Sequence, residues 1–119
     1  MNWYLAKLVF QIVCEKGNHV AQFDEQLRLI AAENIDTAYR KAYSIGSGEE
    51  ESFLNAKEQV VSWRFIDVSE LNLLHELNDG TELYSRTEEQ ANAEAYIHSI
   101  HQKARTLLLG NPKAVLNLV

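Results

Sequence analysis

The stretch Trp3-Tyr4-Leu5-Ala6-Lys7-Leu8-Val9-Phe10-Gln11-Ile12-Val13-Cys14 alternates in character. Tyr4, Ala6, Leu8, Phe10, Ile12 and Cys14 make one apolar face, while Trp3, Leu5 and Val9 share the other with Lys7 and Gln11. A period of two belongs to an extended chain, whose side chains point to opposite sides in turn. Residues 3–14 are therefore predicted as a long strand with one face in the core. The turn-forming run Glu15-Lys16-Gly17-Asn18-His19 follows. Residues 20–32 are the predicted second strand, so the two form an antiparallel hairpin.

That second strand poses a problem. Phe23, Leu27, Leu29 and Ala31 fall two apart on what reads as its core face, and Glu25 falls among them. A lone buried carboxylate is costly, so it must protonate, meet a cation or reach water. Lys7, Arg64 and Arg86 lie in apolar strands and could reach it. Arg64 is the expected partner, from the face Val60, Ser62, Arg64, Ile66 and Val68.

Further along, Asn34 is placed to cap a helix over residues 35–46, with Ala38, Ala42 and Ile45 inward and Gly46 and Gly48 weakening its end. Residues 52–56 suit a short strand. Residues 59–68 are rich in β-branched and aromatic residues and form a strong one. Its second face, Val61, Trp63 and Phe65, is also apolar, so helices or another subunit should cover both sides. Residues 69–77 fit either continued strand or a helical turn. Asn78-Asp79-Gly80 signals a turn, and residues 81–86 a further strand. Thr87-Glu88-Glu89-Gln90 matches a capping box ahead of a helix over residues 88–108. Its apolar stripe is Ala93, Tyr96, Ile97, Ile100, Ala104, Leu107 and Leu108, and Gly110 with Asn111-Pro112 ends it. The order β-β-α-β-β-β-α implies an α+β fold: an antiparallel sheet of four to five strands with two helices packed on one face. One domain over residues 1–110 is expected, with a short apolar tail over 111–119 that covers the core or meets a second copy.

The chain has 119 residues, 46% hydrophobic and 24% charged, which suits one core. A single cysteine, Cys14, excludes an intrachain disulfide and a cysteine-rich zinc motif. The apolar N-terminus lacks a positive n-region and a small-residue cleavage site, and is too short to span a bilayer, so a soluble cytoplasmic protein is expected. The net charge of −6 is uneven: residues 49–94 carry twelve acidic and three basic side chains, and residues 95–119 carry three basic and none acidic. An acidic middle repels phosphate backbones and disfavours nucleic acid as a partner. It suits a basic protein partner.

Trp3-Tyr4 at the start, Glu25, Trp63-Arg64-Phe65 and the run Asp79-Gly80-Thr81-Glu82-Leu83-Tyr84-Ser85-Arg86 give the chain a family likeness. Over roughly residues 3–88 it resembles the small bacterial proteins catalogued as domain of unknown function 4288. The resemblance implies a bacterial source and a stand-alone small domain, and no particular activity.

Three constellations could carry chemistry. Glu25, Trp63, Arg64, Glu82, Tyr84 and Arg86 could line a polar groove over the sheet. Within that set Glu82, Tyr84 and Arg86 share a strand face, where an arginine fork could grip a carboxylate or simply join a cross-strand charge ladder. Glu94, His98 and His101 share a helix flank at metal-ligand spacing, but Arg105 beside them repels a cation, so no metal is expected. There is no glycine-rich phosphate loop and no nucleophile elbow, so neither cofactor nor catalytic residue is assigned. Trp3, Trp63 and Phe65 exceed what one small core can bury and are expected in an interface between copies. The sequence thus points to a non-catalytic, self-associating interaction module, a dimer. The alternative is a small-ligand binder or modest enzyme using the groove.

Overall fold

The computed structural model of the chain describes residues 1–16 and 20–110. It divides into two compact units, Met1–Ser85 and Arg86–Val119, and each is described by itself. The first holds β1 (Asn2–Cys14), β2 (Gln22–Ala32), α1 (Ile35–Gly48), β3 (Glu51–Leu54) and β4 (Val60–Leu74). The strands form one antiparallel sheet in the order β2-β1-β4-β3. The second unit holds α2 (Ala93–Leu108). The fold is α+β, as expected, with four strands and the order β-β-α-β-β-α.

The alternation of β1 sets the core. Tyr4, Ala6, Leu8 and Phe10 are buried, and α1 lies over that face across β1, β2 and β4. Ile30 and Ala32 of β2 complete the floor, with Trp63, Phe65, Val68 and Leu71 of β4 packed against it. The choice of face on β2 is a correction. The hairpin pairs Tyr4 with Ile30, Ala6 with Arg28 and Leu8 with Gln26, so Asp24, Gln26, Arg28, Ile30 and Ala32 share the helix-covered side. The expected core face, Phe23, Leu27, Leu29 and Ala31, lies on the outer side. The polar inner residues are satisfied at the end of α1. The Arg28 guanidinium donates to both carboxylate oxygens of Glu49, at 2.8 and 2.6 Å, and to Gln26, which in turn donates to Asp24 at 2.7 Å.

Asn34 caps α1 as read from sequence, its side chain accepting the Thr37 N–H at 2.9 Å. The buried stripe is Ala38, Ala42 and Gly46, four residues apart, while Ile45 is only partly buried. These small side chains let the helix lie close to the sheet. Gly46 does not merely weaken the helix: a Cβ there would run into the Phe65 ring. That ring is held by Phe10, 5.5 Å away between centroids, and by Tyr43 edge-on at 5.1 Å. Gly46→Ala should therefore destabilise the protein by about 1–2 kcal/mol in urea melts, since an overpacking cost of ~1–3 kcal/mol outweighs a helix-propensity gain of ~1 kcal/mol.

β4 continues unbroken through the ambiguous residues to Leu74, with register shifts against β1 between Lys7 and Leu8 and between Val9 and Phe10. The turn at Asn78-Asp79-Gly80 forms, with the Thr81 N–H donating to the Asn78 carbonyl at 3.1 Å and Gly80 at φ +86°. The expected strand over residues 81–86 does not follow it. β3 pairs only with Val60–Trp63 and leaves the rest of that edge of β4 open, but the returning chain lies over the sheet face instead, with the Tyr84 ring 5.2 Å from the Lys7 Nζ. α2 begins at Ala93 rather than residue 88. Asn92 caps it, accepting the Ala95 N–H at 3.0 Å, in place of the capping box at Thr87. The expectations for residues 17–19 and for the tail at 111–119 lie outside the described residues.

Candidate functional site on the outer sheet face

The face of the sheet opposite α1 carries Trp3, Leu5, Lys7, Val9 and Gln11 from β1. Across from these stand Ala31, Leu29, Leu27, Glu25 and Phe23 on β2. On β4, Leu74 faces Trp3, Asn72 faces Leu5, Glu70 faces Lys7 and Arg64 faces Gln11. Lys7 is the centre. Its Nζ lies 2.6 Å from Glu70, directly opposite, and 3.2 Å from Glu25, a diagonal neighbour on the other side. The same Nζ sits 5.2 Å from the centroid of the Tyr84 ring, from the irregular segment after the turn. The Lys7 side chain is 13% exposed, its stem laid on apolar surface, whereas Glu25 is 59% exposed.

Glu25 is thus an open-faced carboxylate with a lysine partner. The cation is Lys7 rather than Arg64, because β1 stands between β2 and β4 and puts Lys7 next to Glu25. Hydrogen bonding to Glu70 and then to Glu25 raises the Lys7 pKa above the usual lysine range, against the opposing effect of burial. The ammonium stays charged at neutral pH. It is a pin between two strands and is poorly suited to act as a nucleophile.

The ion pairs give a pH signature with a definite sign. Glu49 is held below the usual carboxylate range by Arg28, and Asp67 by the Tyr39 hydroxyl, which donates to it at 2.7 Å, and by the Val68 N–H. Groups with lowered folded pKa values contribute stability above their unfolded value of about 4 and lose it as the pH falls through the folded one. Lys7 behaves in the opposite sense: its contribution is whole below about pH 10.4 and fades as the pH rises through its elevated folded value. Thermal melts across pH should be flat between these limits and fall on both sides, and Arg28→Met should blunt the acid limb.

The candidate groove residues do not all meet. Glu25 and Tyr84 gather at Lys7. Glu82 and Tyr84 help line an open hollow of about 280 Å³ with Glu70, Asn72 and His75. Arg64 is exposed on the same face of the sheet by register. Trp63 lies on the helix-covered side, its ring 6.2 Å from Phe10. Arg86 belongs to the second unit and pairs with Glu88 at 3.1 Å. Of the expected interface residues, Trp63 and Phe65 are taken into core packing, while Trp3 is 42% exposed on the outer face. Glu94, His98 and His101 lie on α2, and no group of three or more His, Cys, Asp or Glu among the described residues is placed to hold a metal. Sequence reasoning missed the Lys7–Glu70 pair and the exposure of Phe23, Leu27 and Leu29, each about half open. The signal for the first was a lysine at a strand centre.

A small antiparallel sheet, covered by one helix on one face and carrying a lysine pinned between two carboxylates on the other, defines the class of domain. The sequence profile of a family described as Domain of unknown function (DUF4288) matches residues 3–85, and the chain belongs to that family. Neither a curated protein nor a solved structure matches it. Among the described residues no helix is long and apolar enough to cross a membrane.

Proposed function

We propose that the chain is a non-catalytic protein-interaction module that associates with a second copy of itself, in the cytoplasm of a bacterium. The observation carrying this reading is the row Phe23, Leu27 and Leu29 on the outer face of β2, each 51–56% exposed, beside half-exposed Trp3. Apolar surface gathered on one face and rimmed by polar groups is the usual mark of a protein contact. A second copy is the occupant favoured by the charges. The chain is strongly acidic overall, yet on this face Glu25 and Glu70 are both engaged by Lys7 within one copy. Two such faces can therefore meet about a two-fold axis with apolar side chains at the centre and few unpaired like charges. Light scattering at tens of micromolar tests the proposal: a dimer supports it, and a clean monomer removes it.

A second reading has its own observation. The hollow bordered by Glu70, Glu82 and His75 is acidic and suits a small cationic or polar ligand. A screen of polyamines by thermal shift would favour that reading if one raised the melting temperature of wild type but not of Glu82→Gln.

A further inference from the structure

α2 carries a seam with nothing buried in it. Ala93, Ile97, Ile100, Ala104 and Leu107 recur at alternating spacings of four and three, the pattern of helix pairing. No residue of α2 is buried, and Ile97, Ile100 and Leu107 are 53%, 43% and 58% exposed. Beside the seam, one flank carries Glu94, His98, His101 and Arg105, while Lys103 and Tyr96 lie on the other. The surface facing away is neutral: Ala95, Ser99, Gln102 and Thr106.

We propose that α2 pairs antiparallel with α2 of a second copy, a partner surface that deepens, and rests on, the self-association proposed above. The charge order selects both direction and register. In an antiparallel pair each flank meets the same flank of its mate. Setting Ile97 level with Ile100 of the second copy also sets Ala93 level with Ala104, so large layers meet at the centre and small ones at the ends. Glu94 then falls between His101 and Arg105 of the second copy, and the two-fold axis repeats the pairing. Sliding by one heptad in one direction carries Glu94 past the end of the opposing helix, and in the other sets it beside Glu94 of the second copy with only Ala93–Ile97 overlapping. A parallel pair sets Tyr96 beside His101 and Lys103 beside Leu108, with no ion pair. Only the first arrangement uses the acid at one end and the base at the other.

The test is sedimentation of the full chain, wild type beside Glu94→Lys, Arg105→Glu and the double variant. Each single reversal should weaken dimerisation on the order of tenfold, and more at low salt, because it sets like charges together twice. The double variant should recover most of that loss. Recovery is diagnostic, because both changes oppose the helix dipole and together can only harm the isolated helix, whose content circular dichroism would follow. If wild type dimerises and the single variants match it, or if the double variant is weaker than either, the α2 pairing is overturned while self-association stands. If wild type is a monomer, both fall.

Discussion

Phe10→Ala should cost about 3–5 kcal/mol of stability, the range for removing a buried aromatic ring without collapse of the space left behind. Phe10 is 1% exposed and stands where β1 meets β4, with Trp63 and Phe65 tilted against it at centroid distances of 6.2 and 5.5 Å. Three rings and the backbone at Gly46 lock one another, so the cavity has little to fall into it. Small domains are stable by only about 5–15 kcal/mol, so this one change should consume a large share and shift the urea midpoint far below that of wild type. Leu8→Ala, equally buried, should follow at about 2–5 kcal/mol. A cost under 1 kcal/mol for Phe10→Ala would mean that the core does not lie beneath α1.

The second large effect is on association rather than stability. Leu27→Glu with Leu29→Glu should turn a dimer into a monomer at tens of micromolar, a loss of more than about a hundredfold in affinity, since two charged groups would have to be desolvated at the centre of the contact. Folding should survive. Both leucines are about half exposed, and both stand on the edge strand of the sheet, where a glutamate can reach water. The matching changes on the inner side behave differently: Ile30→Glu, at a residue 1% exposed, should unfold the protein instead. The contrast between neighbouring positions separates an interface from a core.

How much of this was legible beforehand varies by element. β1 is legible because its two faces differ, one wholly apolar and one broken by Lys7 and Gln11. β2 is legible as a strand, but the face expected inward is the outer one. Alternation tells which residues share a side and not which side is covered, and residues 29–32 are apolar on both. The hairpin register and the reach of α1 decided it, through pairs such as Tyr4 with Ile30 and Arg28 with Glu49. The helix cap at Asn34 is a local signal and was visible. From sequence Gly46 reads only as a weakening of the helix end, with Ile45 inward, because the ring that fills the space beside it comes from a distant strand. The turn at Asn78-Asp79-Gly80 is likewise local, whereas the path of the segment after it goes with a contact distant in sequence, Tyr84 over Lys7. Glu25 raised the right question. Its answer, Lys7, followed from strand order, which no local pattern encodes.

The proposed dimer joins the outer face of β1 and β2 to that of a second copy. The most direct measurement is the solution mass by light scattering of wild type and Leu27→Glu/Leu29→Glu, side by side at the same concentration. The expected result is twice the chain mass for the first and a folded protein of single chain mass for the second. A single chain mass for wild type, or a dimer that the double substitution leaves untouched, would contradict it.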